Sequence, residues 1–263
     1  MSQLPVPGRD TVYVWIGRGV GGRPLPAGRL LRRAGATLLG RAEAEIVVEH
    51  GRDGRPLVAV SGAGARVELP VSVSRADGVV AVAARAAGPV GVDVEWCRPL
   101  PALALAGRWF APAEAAWLAG RDADGRARDF LRLWTAKEAV GKALGRGLRD
   151  GGLRRLMPVP EDPDGALRPL PEAGDGGLRQ PSGAGRLRVG HPRVGGGLVL
   201  AVAVTAGEAV PVHVVPIGAV PVGSDGADGT VGSVGAARGG AHVAAARSAS
   251  AARTSLPVVV RGS

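Results

Sequence analysis

Two pairs of polar side chains stand at spacings that could support phosphate chemistry. Asp93 and Glu95 alternate with valines in the segment V-G-V-D-V-E. Because successive side chains of a strand point to opposite faces, a strand here would direct both carboxylates to one side. Glu138 and Lys142 are four residues apart in a segment of helical pattern, so they would be neighbours on one helix face. Each pair would therefore present its polar groups together.

The lysines add a second signal. Among 33 basic residues only Lys137 and Lys142 are lysines, and both lie close to Glu138 in the sequence. An ammonium is a compact point charge and a guanidinium is a planar fork, so two retained lysines indicate a site that needs ammonium groups. Three carboxylates with lysines are typical of a hard-metal phosphate site. In such sites Mg²⁺ takes a few carboxylate oxygens and leaves its other positions to water and substrate phosphates.

Each feature also has an ordinary explanation. Asp93 and Glu95 could be the solvent-facing residues of a half-exposed strand. Glu138 and Lys142 could form a surface pair that stabilises the helix by about 0.2–0.5 kcal/mol. Their combination in the part of the chain richest in aromatic residues favours the metal site.

The elements that must position these residues follow from apolar periodicity and turn residues. Strands, then helices, then a strand, with one helix near the start, predict an α+β fold of two similar lobes. Three strands fall between residues 71 and 95, and we expect them to form one antiparallel sheet. The predicted strands cover 11–16, two runs within 46–60 about Asp53-Gly54, 71–74, 78–84, 90–95 and 197–204, and the predicted helices follow Pro26, cover 101–108, begin at Pro112 and cover 126–144.

Length and composition suggest the domain limits. The 263 residues allow two small lobes, which we place at residues 1–88 and 89–206. Residues 207–263 have no aromatic residue and little periodicity, so they predict a disordered tail. A single cysteine, no signal-peptide pattern and no apolar run long enough to cross a membrane favour a cytoplasmic protein.

These segments resemble the motifs of the 4′-phosphopantetheinyl transferases, in particular the longer Sfp-like type. V-G-V-D-V-E at 90–95 and W-T-A-K-E-A-V-G-K at 134–142 match two family motifs, and R-W-F-A-P-A-E-A-A-W-L at 108–118 resembles a third. The resemblance covers about residues 11–206. It implies a monomer of two α+β lobes with pseudo-twofold symmetry, with coenzyme A and Mg²⁺ between them.

The implied activity is that of a holo-[acyl-carrier-protein] synthase. The phosphopantetheine arm of coenzyme A moves to a serine of an acyl- or peptidyl-carrier protein, and adenosine 3′,5′-bisphosphate is released. The resemblance implies that Asp93, Glu95 and Glu138 bind Mg²⁺. Glu138 would also help to deprotonate the serine, and Lys142 would stabilise charge on the leaving phosphate. The residues that it assigns to coenzyme A are Arg29, Arg55, Ser74, Arg75, Asp93, Lys137 and Lys142.

Two features differ from the family pattern. The family's Ser-His-Ser is Ser74-Arg75-Ala76 here, and the arginine still offers positive charge and two donors to a phosphate. The family's longer helical segment is shortened to a glycine-rich turn between Ile16 and Pro26. One wall of the coenzyme site is therefore expected to be reduced.

The net charge of +10 is compatible with two kinds of anionic partner. A nucleic acid is the rival partner, because a strongly basic chain is attracted to a phosphate backbone. The arginines are spread along the chain without interleaved aromatic residues, so we expect no nucleic acid and instead an acidic carrier protein. An inactive transferase that only binds the carrier is the remaining alternative.

Overall fold

The computed structural model describes residues 10–19, 25–51, 54–60, 67–149, 151–160, 166–171, 186–206 and 210–217. Within them the chain forms helices and strands of mixed order, which confirms the α+β class. The elements are β1 Val12–Arg18, α1 Ala27–Leu39, β2 Ile46–His50, β3 Pro56–Val60, β4 Glu68–Leu69, β5 Val71–Ala76, β6 Val79–Arg85, β7 Val90–Trp96, α2 Ala102–Trp109, α3 Pro112–Ala119, α4 Ala123–Leu144, β8 Arg168–Pro169, β9 Arg186–Gly190, β10 Leu198–Ala206 and β11 Val212–Ile217.

The strands form three sheets. The first sheet has the order β11-β1-β6-β5, the second has the order β7-β10-β9-β8, and the third is the small sheet β2-β3-β4. Helix α4 packs against β7 and β10, and α1 packs against β6 and the small sheet. The second sheet therefore lies between the first sheet and α4.

The first sheet is buried on both faces, which explains its nearly continuous apolar sequence. Along β1, Val12 and Val14 pack into a core cluster that includes Val92 of the second sheet. Tyr13 and Trp15 point the opposite way, into a cluster that also contains the buried apolar side chains of α1. Because side chains alternate along β1, this one strand contributes to the hydrophobic clusters on both faces of the first sheet.

One sheet prediction is wrong. Strands β5 and β6 form the expected antiparallel hairpin about Asp77-Gly78, where Gly78 has a φ of 66°. Strand β7 does not join them, because it pairs with β10 over seven positions, from Trp96–Leu198 to Val90–Val204. The short connection between β6 and β7 favours a hairpin but does not require one. Strand β7 pairs instead with β10, a long apolar strand from a distant part of the chain.

The predicted tail begins too early. Val212–Ile217 form β11, which pairs with β1 in parallel. This strand lacks aromatic residues, but a short edge strand needs mainly backbone hydrogen bonds and a few β-branched side chains. Its position at the sheet edge also tolerates Pro216. Residues 207–209 and 218–263 of the predicted tail lie outside the described residues.

The described residues all belong to one compact unit. The first and second sheets share a hydrophobic core, so the proposed boundary near residue 88 crosses a packed region. The division into lobes at 1–88 and 89–206, and their pseudo-twofold relation, remain predictions. In the part of the chain that the structure describes, no helix is long and apolar enough to cross a membrane.

Candidate functional site

The candidate site forms where α4 lies directly on β7. A side chain on Gly91 would begin 1.9 Å from the carbonyl oxygen of Ala139, so only glycine permits this approach. Because strand side chains alternate, Asp93 and Glu95 lie on the same face of β7 as Gly91. The close approach therefore brings the polar face of the strand against the helix.

Helix α4 contributes the other two predicted groups. Glu138 is buried, with 6% of its surface exposed, and Lys142 follows one turn later. The hairpin between β2 and β3 reaches the same end of the helix, because Arg55 Nη2 donates to the Lys142 carbonyl oxygen at 3.0 Å. Three separate segments of the chain thus converge here.

Asp93 is the centre of the hydrogen-bond network. Lys142 Nζ donates to Asp93 Oδ1 at 2.7 Å and to the Val92 carbonyl oxygen at 3.0 Å. The Ser74 hydroxyl donates to the same Asp93 Oδ1 at 2.7 Å. Asp93 Oδ2 and Glu138 Oε1 are buried and have no hydrogen-bond partner among the described residues. Two carboxylate oxygens are therefore left without a donor.

The carboxylate cluster, defined as Asp93, Glu95 and Glu138, carries more negative charge than its surroundings neutralise. Burial and then the Asp93 charge raise the pKa of Glu138 to about 7. The same two causes raise the pKa of Glu95 to about 7, against the opposing effects of Arg98 and Lys142. Near neutral pH the cluster therefore holds protons that a cation could replace.

The donor set fits a hard cation. As the side chains stand, no three carboxylate, imidazole or thiol groups in the described ranges are close enough to hold a metal ion. Lys142 instead neutralises Asp93 directly. The two oxygens without donors, on Asp93 and Glu138, are the ligand type that Mg²⁺ takes from proteins. A cation would thus find free carboxylate oxygens once these side chains adjust.

The prediction that Lys137 contacts coenzyme A does not fit its position. Its side chain is completely buried, and Nζ donates to both carboxylate oxygens of Glu114 at 2.8 and 2.7 Å. Glu114 also accepts the amides of Ala111 at 3.2 Å and Met157 at 3.0 Å. This ion pair joins α3, α4 and the segment after α4.

The sequence carried a signal for this buried pair. Lys137 is two helical turns after Phe130, so it falls on the same apolar stripe. Phe130 is buried, and Lys137 Nζ lies 4.8 Å from the ring centroid of Phe110. An ammonium on an apolar stripe requires a buried carboxylate, and Glu114 in the first turn of α3 supplies it.

The remaining predicted residues lie in three different settings. Ser74 is buried and contacts Asp93, while Arg75, next to it in β5, is exposed and faces the other side of the strand. Arg29 lies on the exposed face of α1. Within the described residues, the structure brings neither Arg29 nor Arg75 to the carboxylate cluster, whereas Arg55 lies beside Lys142.

A groove of about 660 Å³ lies between residues 97–104 and the first turns of α4. Its lining includes Arg98, Arg128 and Leu103, and Leu103 is 42% exposed. The Arg98 charge is close enough to Glu95 to lower its pKa against the effect of burial. We refer to this feature as the basic groove.

Comparisons with known proteins agree with the motifs. A family model described as the 4′-phosphopantetheinyl transferase superfamily matches residues 89–181. Slr0495 of Synechocystis sp. is 44% identical over 72 residues, which are 27% of this chain and 29% of that protein. The 4′-phosphopantetheinyl transferase psf-1 of Bacillus pumilus is 35% identical over 80 residues, or 30% and 34% of the two chains.

A third relative gives a longer match. The 4′-phosphopantetheinyl transferase HetI of Nostoc sp. is 30% identical over 132 residues, which are 48% of this chain and 53% of HetI. The chain therefore spans about half or less of the length of these relatives. The matched family segment holds the whole carboxylate cluster and both lysines. Residues 89–181 are therefore similar to the 4′-phosphopantetheinyl transferase superfamily.

Proposed function

We propose that the protein transfers the 4′-phosphopantetheine arm of coenzyme A to a serine of an acyl- or peptidyl-carrier protein in a Mg²⁺-dependent reaction. The observation that carries this proposal is the carboxylate cluster, with Asp93 and Glu138 buried and Glu95 half-buried, which lies beside Lys142 within the segment that matches the transferase superfamily. The ordinary alternatives of a half-exposed strand and a surface ion pair do not explain why burial and the nearby Asp93 charge raise the pKa of both Glu95 and Glu138.

The cluster would bind the cation. Asp93, Glu95 and Glu138 would hold Mg²⁺ through carboxylate oxygens, including the two that have no donor in the described residues. When bound, Mg²⁺ would neutralise charge on the pyrophosphate of coenzyme A. The pKa values near 7 for Glu95 and Glu138 mean that binding would release protons at neutral pH.

Glu138 is the residue best suited to accept the proton of the carrier serine. A carboxylate has two oxygens, so Glu138 could hold the cation through Oε1, which has no donor among the described residues, and accept the proton on the other oxygen. The serine oxygen would form a bond to the pantetheine-bearing phosphate, and the pyrophosphate P–O bond would break. The serine proton would pass to Glu138 directly or through water, and adenosine 3′,5′-bisphosphate would leave.

Lys142 would stabilise the leaving phosphate. Its side chain is 28% exposed, so it can reach a substrate that enters from solvent, and its Nζ lies 2.7 Å from Asp93 Oδ1. A preorganised positive charge of this kind is most effective where negative charge develops in the transition state. Arg55, beside Lys142, is the coenzyme-binding arginine whose position best supports a contact with the same phosphates.

Arg29 and Arg75 would contact coenzyme A only from outside the carboxylate cluster. Both are exposed, so each is free to meet a phosphate that lies at the surface. Lys137 is not part of this proposal, because its ammonium is enclosed by Glu114 and the Arg155 carbonyl group.

The carrier protein would dock at the basic groove. Arg98 and Arg128 offer positive charge, and exposed Leu103 offers an apolar contact, which together suit an acidic surface with an apolar centre. Arg98 lines the groove and its charge also acts on Glu95, so a carrier bound in the groove would approach the cluster from this side. The formal charge of +10 would assist the encounter.

The decisive experiment measures transfer itself. The full chain is incubated with coenzyme A, Mg²⁺ and each of several apo-carrier proteins, and the intact mass of every carrier is recorded. An active transferase adds the mass of the arm to a carrier, with omission of Mg²⁺ and the Glu138→Gln variant as controls. If no carrier gains this mass but carriers still bind, the protein is an inactive relative; binding of duplex DNA or RNA alone would favour the nucleic-acid alternative.

A further inference from the structure

Two serines join the edges of the first and second sheets. Strands β5 and β7 are edge strands of different sheets, yet they lie side by side. The Ser72 hydroxyl accepts the Val92 amide at 3.1 Å, and the Ser74 hydroxyl accepts the Val94 amide at 3.2 Å. Each serine thus satisfies a buried backbone donor that would otherwise have no partner.

Only one of the two serines also contacts the carboxylate cluster. Ser72 and Ser74 are equally buried, with 6% and 5% of their surfaces exposed. A hydroxyl has one hydrogen to donate, and Ser74 donates it to Asp93 Oδ1 at 2.7 Å. The two residues therefore differ at one point, which is the bond to Asp93.

This bond controls which oxygen of Asp93 is free. Ser74 and Lys142 both donate to Oδ1, while Oδ2 is buried and has no donor among the described residues. If Lys142 turns to a substrate phosphate, the Ser74 hydroxyl remains to hold Oδ1. Because Ser74 is itself fixed by the Val94 amide, the carboxylate keeps its orientation.

We propose that Ser74 is a positioning residue that orients Asp93 so that Oδ2 faces the divalent cation. This inference rests on the proposed function, and it replaces the coenzyme contact that the family resemblance implies for Ser74. Hydroxyl and carboxylate groups that hold a metal ligand in place are commonly worth 10–100-fold in metal affinity. We therefore expect Ser74→Ala to weaken cation binding by about this factor.

The test compares Ser74→Ala with Ser72→Ala in the full chain. Both variants remove a buried hydroxyl that accepts a β7 amide, but only the first removes the bond to Asp93. Binding of Mn²⁺, used as a Mg²⁺ substitute, is followed by loss of the free-ion electron paramagnetic resonance signal. Ser74→Ala should bind Mn²⁺ about 10–100-fold more weakly than the unaltered chain, and Ser72→Ala within about twofold of it.

A second measurement separates the rival role of Ser74. If Ser74 contacts a coenzyme phosphate, Ser74→Ala will raise KM for coenzyme A and leave Mn²⁺ affinity unchanged, which overturns the proposal. Equal losses of Mn²⁺ affinity in the two alanine variants would also overturn it, because the sheet junction alone would then explain the effect. Should Ser74→Ala not fold, Ser74→Cys keeps the size with a weaker donor, and it should likewise bind Mn²⁺ more weakly.

The proposed function can fail independently. If the unaltered chain binds Mn²⁺ but modifies no carrier protein, the transferase proposal fails and the role of Ser74 stands. If the unaltered chain modifies a carrier and Ser74→Ala binds Mn²⁺ normally, the role of Ser74 fails and the transferase proposal stands. An unaltered chain that does not bind Mn²⁺ overturns the cation site together with the role of Ser74.

Discussion

Two lysines of one helix form ion pairs with the same shortest N–O distance but in very different surroundings. Lys137–Glu114 and Lys142–Asp93 both have an N–O distance of 2.7 Å. Lys137 is completely buried, and Glu114 accepts bonds from the lysine and from two backbone amides. Lys142 is 28% exposed, and Asp93 keeps one oxygen without a donor among the described residues.

The difference teaches how the same two residue types can serve stability or chemistry. Both carboxylate oxygens of Glu114 accept hydrogen bonds from Lys137 and from backbone amides, so neither oxygen is left to bind a further ligand. Around Asp93 the charges of Glu95 and Glu138 exceed the positive charge of Lys142, and both glutamates have a pKa raised to about 7. An unbalanced and partly exposed cluster is suited to accept a cation and a phosphate.

The largest effect is expected for Glu138→Gln. This change removes one carboxylate and the proposed base but preserves the shape of the side chain, so turnover should fall by about 10²–10⁴-fold. The melting temperature without divalent cation should not fall, because repulsion within the carboxylate cluster is relieved. Rates of carrier modification and thermal unfolding of the two proteins provide the measurement, and retention of most of the turnover would show that Glu138 is not the base.

The next prediction compares Lys137→Met with Lys142→Met. Lys137→Met leaves the Glu114 carboxylate buried without its partner, and such a loss destabilises a protein by about 3–5 kcal/mol. Lys142→Met should cost less stability, because Lys142 is partly exposed and Ser74 still donates to Asp93. It should instead reduce turnover strongly at saturating coenzyme A.

Urea unfolding without divalent cation measures the two stabilities, and carrier modification measures turnover. The Glu114→Leu and Lys137→Met double variant serves as the control, because it removes both charges and should recover part of the lost stability. The comparison fails if Lys142→Met destabilises the protein as much as Lys137→Met does.

Cation binding should weaken as the pH falls. Glu95 and Glu138 have pKa values of about 7 without a cation, so protons compete with Mg²⁺ below neutrality. From pH 8 to pH 6 each carboxylate changes from about nine-tenths to about one-tenth ionised, so affinity should fall about tenfold per group and at most about 100-fold. Mn²⁺ titrations at several pH values measure this dependence. An Mn²⁺ affinity that does not change with pH would show that Glu95 and Glu138 do not bind the cation.

The pH dependence of stability without a cation provides a control. The two raised pKa values mean that the folded chain binds more protons than the unfolded chain between pH 4.5 and about 7, so their contribution to stability rises as the pH falls. His191 opposes this, because burial lowers its pKa from 6.5 to about 4 and its contribution is lost as the pH falls through that range. In a variant with both glutamates replaced by glutamine, the stability should therefore only decrease as the pH falls, because of His191 and of the other groups with ordinary pKa values.

The smallest effect is expected at the basic groove. Arg128→Glu should raise KM for an acidic carrier by a few-fold at 0.05 M salt and leave kcat nearly unchanged, because steering acts before contact. The effect should shrink at 0.5 M salt, where the Debye length is well below its value of about 10 Å at 0.1 M. Arg41→Glu, an exposed change just after α1, is the charge-matched control. If both variants raise KM for the carrier equally, the cause is the net charge of the protein and not the basic groove.

Local sequence was sufficient to predict which faces of the strand and the helix carry the polar side chains of the site. The strand alternation of Asp93 and Glu95 and the helical spacing of Glu138 and Lys142 both depend on periodicity, which is a property of neighbouring residues. The motifs at 90–95 and 134–142 also identified the superfamily segment. The helix after Pro26 and the hairpin about Asp77-Gly78 were predicted for the same reason, since caps, turns and apolar periods are local.

Tertiary structure decided what each of these groups touches. The partner of β7 is β10, and the partner of β1 at its outer edge is β11; both come from distant parts of the chain, so no local pattern specifies them. Lys137 was predicted to meet coenzyme A, yet the packing of α3 against α4 encloses it with Glu114. Ser74 contacts Asp93 only because the edges of two sheets meet. Sequence determined the residue types and their faces, whereas long-range packing determined their burial and partners, on which pKa and binding depend.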